Sequence, residues 1–322
     1  MSALEVSLLG AALAFSVVNG INDGGTLVVM GLKIRSVPVW SAVTLLAGAV
    51  VVVPLLLGTG VATTLAGRLV PFTGDSGRVA VLAAIVAGTG VTFGLAYRGL
   101  PTSLTLGLVG GIAGAGLGSG LPVAWTTVLA VLALGAAAPV VGAGGAFVLS
   151  RVVGRLPVRT SAERNIRLLH VLAFGLQCLA YAANDGQKIL AVHAVAVGRA
   201  AGPVVIPPAH LVVLGLLFAL GVVAGLPRLV STVGEGILSV RPLQAVVAEL
   251  SAAAAVIATA ALSAPVSMTQ AVAAGLIGAG ASQGYRRVRW RAALRIVLAW
   301  MVTLPAAVAL GAALGRLGRA WA

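Results

Sequence analysis

Tyr181-Ala182-Ala183-Asn184-Asp185-Gly186-Gln187-Lys188 interrupts a long apolar run, with Val171-Leu172-Ala173-Phe174-Gly175-Leu176 before it and Ile189-Leu190-Ala191-Val192 after it. Each charge in such a run costs about 2.5 kcal/mol or more in hydrocarbon, so these groups face a protein interior or a water-filled path. Gly186 among them predicts a broken helix whose freed backbone groups help to hold an ion. A packed Asp185–Lys188 pair at i, i+3 without function is the alternative. Recurrence of the same device argues against it.

The second copy is Asn19-Gly20-Ile21-Asn22-Asp23-Gly24-Gly25, also flanked by apolar sequence. A hydroxyl-rich motif follows each copy at nearly the same distance. Pro101-Thr102-Ser103-Leu104-Thr105 begins 78 positions after Asp23, and Pro265-Val266-Ser267-Met268-Thr269 begins 80 after Asp185. Two ordered motifs with matched spacing indicate an internal duplication.

Composition sets the class. Of 322 residues, 60% are hydrophobic and 9% charged, against roughly 25% charged in soluble domains. Mean hydropathy is +1.11. The chain is expected to be an all-α polytopic membrane protein, and its 43 glycines suit close helix–helix approach in a bilayer. A net charge of +14 would suggest nucleic acid in a soluble protein, but here the arginines cluster in short loops between apolar spans, so topology explains them better and no nucleic-acid partner is expected. The single Cys178 allows no internal disulfide. Residues 1–32 lack the pattern of a cleaved leader and read as a retained first span.

The chain divides into a first repeat, 1–150, a polar cytoplasmic linker, 151–167, and a second repeat, 168–322. Residues 5–32, broken at Asn19–Gly25, and 39–66 are the first spans. Residues 79–118 read as a re-entrant hairpin with its tip at Pro101–Thr105, because the glycine-dense stretch Ser103–Gly120 is short and uncomfortable for a spanning helix. Residues 122–150 cross, with a kink at Pro139. The second half repeats the plan with 168–197, 208–225, a hairpin over 243–281 tipped at Pro265–Thr269, and a last crossing over 292–315. A complete crossing at 79–99 would change the parity of the crossings and weaken the charge bias between the faces. If each hairpin instead enters and leaves on one side, three crossings separate the two Asn-Asp motifs and the second half is inverted. Lys33, Arg35, Arg151, Arg155, Arg159, Arg164, Arg167, Arg228, Arg241, Arg286, Arg287, Arg289 and Arg291 then share one face, against Arg68, Arg78, Arg199, Arg316 and Arg319 on the other. The positive-inside rule makes the first face cytoplasmic, with both termini outside. Two inverted-topology repeats with broken helices and two re-entrant helical hairpins are a common transporter architecture.

Asp23 and Asp185 are the only aspartates in the apolar segments. With Asn22 and Asn184 they offer hard oxygen ligands to a sodium ion, or carboxylates that carry a proton. Thr102, Ser103, Thr105, Ser267 and Thr269 are candidate donors to a tetrahedral oxyanion, and each tip opens a helix whose first N–H groups point outward. The alternative is that these hydroxyls bond helix carbonyls. Gln187 and Lys188 are candidates to hold the anion, and Lys188 could instead pair with Asp185. Glu249 interrupts an apolar stretch and could join a cation or proton path. Arg98 could touch the anion or snorkel to water. His170, His193 and His210 lack metal-ligand spacing and read as peripheral or structural, so no resident cofactor or metal is expected beyond a sodium ion at the two Asn-Asp pairs.

At these residues the chain resembles the PiT family of inorganic phosphate transporters. Phe15–Gly25 is similar to the family's first signature and Ala183–Lys188 to its second, Asn-Asp-x-Gln-Lys; Leu262–Gly280 and Trp290–Leu304 resemble its C-terminal block. The resemblance implies phosphate import across the cytoplasmic membrane coupled to sodium or protons, inverted repeats, often a homodimer, and a transport site containing Asn22, Asp23, Asn184 and Asp185 completed by the tips. Some positions depart from the family's usual pattern. Leu104, Leu106, Met268 and Gln270 stand where further hydroxyls and histidines are common, and Thr26 stands where Asn is common. Sulfate is therefore the rival substrate. Readings from other classes are a channel and a membrane enzyme acting on a phospholipid or polyprenyl phosphate.

Overall fold

A computed structural model describes residues 2–32, 36–100, 102–155, 162–198, 204–229 and 242–321. Lys33, Arg35, Pro101, Arg159, Arg199 and Arg241, which figure in the topology reading, lie outside the described residues. The described chain is helical: α1 (Ala3–Asn19), a π-helical turn (Gly20–Gly24), α2 (Gly25–Gly31), α3 (Val39–Leu57), α4 (Gly60–Thr63), a second π-helical turn (Thr64–Arg68), α5 (Gly74–Tyr97), α6 (Leu104–Ser119), α7 (Trp125–Val153), α8 (Ala162–Asn184), α9 (Gly186–Ala196), α10 (Pro208–Leu229), α11 (Pro242–Ala261), α12 (Met268–Ser282) and α13 (Trp290–Trp321). Among the described residues, eight segments are long and apolar enough to cross a membrane. Exposed Leu56, Leu57, Val140, Leu216 and Met301 give α3, α7, α10 and α13 the apolar outer surface that a bilayer requires.

Three expectations change in detail. The first span is not unwound at its Asn-Asp motif: Gly20–Gly24 is a π-helical turn, and the flanking Asn19 and Gly25 stay right-handed. Likewise Asp185, between α8 and α9, has φ −66° and ψ −38°. The helix widens rather than breaks, and such π turns recur at functional sites. The span expected over 39–66 stops at Leu57, where Gly58 takes φ 82°, and continues through a single α turn and a π turn. The glycine-dense stretch is a regular helix, α6. Its glycines answer to packing: a Cβ at Gly114 or Gly118 would fall 2.2 Å from Val308 O or Ala312 O of α13, and one at Gly111 would fall 2.5 Å from Ala84 O of α5. Wedged between α5 and α13, α6 has room only for bare backbone on those faces.

The packing obeys an exchange between the halves. α6 packs on α13 as α12 packs on α7; α5 meets α13 as α11 meets α7; α3 meets α8 as α10 meets α1; α1 meets α5 as α8 meets α11. Swapping α1, α3, α5, α6 and α7 for α8, α10, α11, α12 and α13 leaves this contact scheme unchanged. The short helices α6 and α12 are buried along nearly their whole length, so their first residues are held deep in the bundle.

Candidate functional site

Each Asn-Asp motif is tied to the tip that follows it. Asn184 Nδ2 donates to Ala264 O at 2.9 Å, and its Oδ1 accepts from Val266 N at 3.0 Å. Asn22 Nδ2 donates to Thr102 O at 2.9 Å, and its Oδ1 accepts from Thr102 N at 3.3 Å. Both amides thus serve as clamps that satisfy buried backbone polar groups where α6 and α12 begin. The matched spacing of motif and tip in the sequence has this physical cause. Thr105 Oγ1 then donates to Val266 O at 2.8 Å and joins the two tips to each other.

The aspartates follow the clamps, and both reach the start of α12. Asp185 Oδ2 accepts from Met268 N at 2.9 Å, the first N–H of that helix, where the helix dipole favours negative charge. Asp23 Oδ1 accepts from Asn22 Nδ2 at 2.6 Å and lies 3.4 Å from Thr269 Oγ1. Asp185 Oδ1 pairs with Lys188 Nζ, which also donates to Thr105 Oγ1 at 2.5 Å and to Val266 O at 2.7 Å. Asp23, Asp185 and Lys188 are all 0% exposed. The arrangement can hold cations against carboxylates and offer helix N-termini to an anion at one place.

The hydroxyls have defined local duties. Ser103 caps α6, its Oγ accepting from Leu106 N at 3.3 Å, and Ser267 caps α12, accepting from Gln270 N at 3.4 Å. As acceptors there, both keep a proton to donate. Ser267 Oγ also lies 2.9 Å from Thr269 Oγ1. Thr102 Oγ1 bonds Thr303 Oγ1, placing α13 against the first tip.

Two residues singled out in the sequence stand apart from this cluster. Gln187 Oε1 accepts from Ala62 N at 3.1 Å, and its Nε2 donates to Gly58 O at 3.1 Å and Ala183 O at 2.7 Å. Its amide braces the bend after α3, and these hydrogen bonds are to backbone groups of Gly58, Ala62 and Ala183. Glu249 of α11 lies 3.3 Å from His170 Nε2 of α8, and His170 Nδ1 contacts Ser36 Oγ. Among the described residues Glu249 pairs with His170 rather than with the aspartates. His170, which reads as peripheral or structural in the sequence, is 0% exposed. Arg98 is exposed at the end of α5, which fits snorkelling rather than anion contact.

Sequence reasoning missed Asn19 and Tyr181. Tyr181 Oη donates to Asn19 Oδ1 at 2.6 Å, and both are fully buried. They are separated by 162 positions, the same interval that separates Asp23 from Asp185. Each is therefore the other's counterpart in the duplication, and their contact lies where the halves meet. That equality of interval was the available signal.

Comparisons with known proteins bear on the family and the fold. The sequence profile described as "Phosphate transporter family" matches residues 19–311. A "Probable low-affinity inorganic phosphate transporter" of Bacillus subtilis (strain 168) is 27% identical over 319 residues, covering 96% of this chain and 95% of that protein. A protein of the same description from Mycobacterium bovis is 31% identical over 316 residues, covering 94% of this chain and 74% of that one. A solved structure titled "The sodium-dependent phosphate transporter" superposes with a TM-score of 0.85 at 19% identity, over 98% of this chain and 99% of the other. That likeness concerns the fold.

Proposed function

The chain belongs to the phosphate transporter family, and on that premise we propose that it imports inorganic phosphate across the cytoplasmic membrane by symport with sodium or protons. The family is one of transporters, so the membrane-enzyme reading falls. The observation that carries the proposal is that the capped N-terminus of α12 meets both buried aspartates, while that of α6 reaches Asp185 through Thr105 and Lys188. The N-termini favour a tetrahedral oxyanion. Asp185 is already paired with Lys188. Asp23 repels the anion until a cation or proton neutralises it, and that requirement couples the two fluxes reciprocally.

Inverted repeats fit the placement of the hairpins. Ser119 at the end of α6 donates to Gly315 O near the end of α13, whereas Ser282 O at the end of α12 accepts from Arg151 near the end of α7. α7 starts a few residues after α6 ends and runs for 29 residues, about 43 Å. The mouths of the two hairpins therefore sit at opposite ends of α7. This geometry supports re-entrant hairpins opening on opposite faces, with the basic loops cytoplasmic and both termini outside. A homodimer in the bilayer, implied by the family resemblance, completes the reading.

Purified protein in liposomes, loaded with sodium and proton gradients separately, should take up labelled phosphate against its gradient and discriminate against sulfate. Uptake of sulfate in preference to phosphate would replace the substrate. Downhill flux of either anion that ignores both gradients would point to a channel.

A further inference from the structure

The two halves present the same three oxygen atoms and fill the space between them differently. Beside Asp185, Lys188 Nζ sits among Asp185 Oδ1, Val266 O at 2.7 Å and Thr105 Oγ1 at 2.5 Å. The positions matched by the duplication are Asp23, Thr102 O and Thr269 Oγ1. Here Thr269 Oγ1 lies 3.4 Å from Asp23 Oδ1, and a neutral nitrogen, Asn22 Nδ2, joins Asp23 Oδ1 at 2.6 Å to Thr102 O at 2.9 Å. The residue matched to Lys188, three positions after the aspartate, is Thr26, whose hydroxyl turns back to Asn22 O at 2.5 Å. One place holds a tethered ammonium; its twin holds none.

Asp23 shows the consequence. It is fully buried and makes no ion pair among the described residues, and its Oδ2 is buried without a hydrogen-bond partner. A buried carboxylate in that condition is strongly disfavoured unless a positive charge joins it or it binds a proton. One carboxylate, one carbonyl and one hydroxyl form a hard oxygen set, and the single negative charge suits a monovalent cation.

We propose that Lys188 is a resident counter-ion permanently filling one of two matched cation places, which leaves one exchangeable place per chain, framed by Asp23, Thr102 O and Thr269 Oγ1, for a sodium ion or a proton. The inference rests on the reading of the two aspartates as the coupling site. Only the half with Asp23 then responds to an ion gradient. Lys188 is a specificity-determining residue: it sets how many cations accompany the anion.

The test counts cations on the purified full-length protein in the absence of phosphate. Equilibrium binding of sodium-22 forms one arm; protons bound across a titration in sodium-free medium, taken as differences between variants, form the other. Wild type should bind one equivalent in one arm, lost in Asp23→Asn. Lys188→Thr should gain a second equivalent, lost again in Lys188→Thr/Asp185→Asn. Thr26→Lys should bind none. The double swap Thr26→Lys/Lys188→Thr should bind one equivalent that depends on Asp185 instead of Asp23. An unchanged count in Lys188→Thr in both arms, or a wild-type equivalent that survives Asp23→Asn, overturns the proposal. Should Thr26→Lys fail to fold, Lys188→Thr and Lys188→Asn decide it. Because no phosphate is present, failure of phosphate uptake would remove the proposed substrate and leave this count standing.

Discussion

The surroundings of Asp23 and Asp185 are two versions of one design. Each aspartate follows an asparagine that clamps a helix tip, and each lies within reach of the threonine of the opposite tip, directly for Asp23 and through Lys188 for Asp185. They differ in charge balance. Asp185 has an ammonium and a helix N–H, whereas the partners of Asp23 among the described residues are an amide and a distant hydroxyl. The scaffold of a duplicated fold can thus stay symmetric while one substitution, Lys188 against Thr26, makes one site self-sufficient and the other dependent on a ligand.

The largest difference should appear when each carboxylate is neutralised. Asp185→Asn strands a buried ammonium, and breaking such a pair costs about 3–5 kcal/mol. Asp23→Asn removes a buried charge that makes no ion pair among the described residues and should leave stability unchanged or raised. Thermal unfolding in detergent should show Asp185→Asn far below wild type and Asp23→Asn at or above it, while both lose concentrative uptake. Asp185→Asn/Lys188→Met should recover most of the lost stability without recovering uptake. Equal melting of the two single variants would mean that the halves are energetically alike, and the comparison would fail.

The same contrast shows what sequence could and could not reveal. Charges inside apolar runs are costly enough to be visible locally, so the spans and the two Asn-Asp motifs were legible. The repeat interval tied each motif to its tip. The division of labour within the motif was not legible, because Asn22 and Asn184 act on backbone groups 80 residues away, and such a bond leaves no periodic trace. Gln187 looked like a ligand for the same reason that it is buried: its amide satisfies the backbone around Gly58 and Ala62. The pairing of His170 with Glu249 depends on α8 meeting α11, a tertiary contact. The glycines of α6 suggested a poor helix because intrinsic propensity was weighed without the two neighbours that make bare backbone necessary.

Removing the clamps should have an intermediate effect that also differs between the halves. Asn22→Ala and Asn184→Ala each leave two buried backbone groups unpaired, at about 1–3 kcal/mol per group. Asn184 touches only the tip and its own half, so its loss should lower the melting temperature and leave cation affinity nearly intact. Asn22 also donates to Asp23 Oδ1, so its loss should change cation affinity as well. Parallel melting and sodium-dependence curves would separate the two outcomes. Identical cation affinity in both variants would show that the Asn22 amide does not compete for the place beside Asp23.

The smallest effect concerns the two caps. Ser103→Ala and Ser267→Ala each delete an N-cap acceptor, which costs about 0.5–2 kcal/mol of stability. Each also removes a hydroxyl proton that can donate to a desolvated anion, so phosphate affinity should fall by about 1–3 kcal/mol, roughly five- to 150-fold. The halves should again be unequal. Ser103 Oγ serves its cap alone, but Ser267 Oγ also lies 2.9 Å from Thr269 Oγ1, which in turn faces Asp23. Losing Ser267 therefore frees the Thr269 hydroxyl to rotate and disturbs the exchangeable cation place, whereas losing Ser103 does not. Titrating phosphate at several sodium concentrations and pH values should show a uniform loss of affinity for Ser103→Ala. For Ser267→Ala, the loss should grow as the coupling cation is made scarce. If the two variants lose affinity equally at every cation concentration, Thr269 plays no part in the cation place, and the tips are equivalent where the aspartates are not.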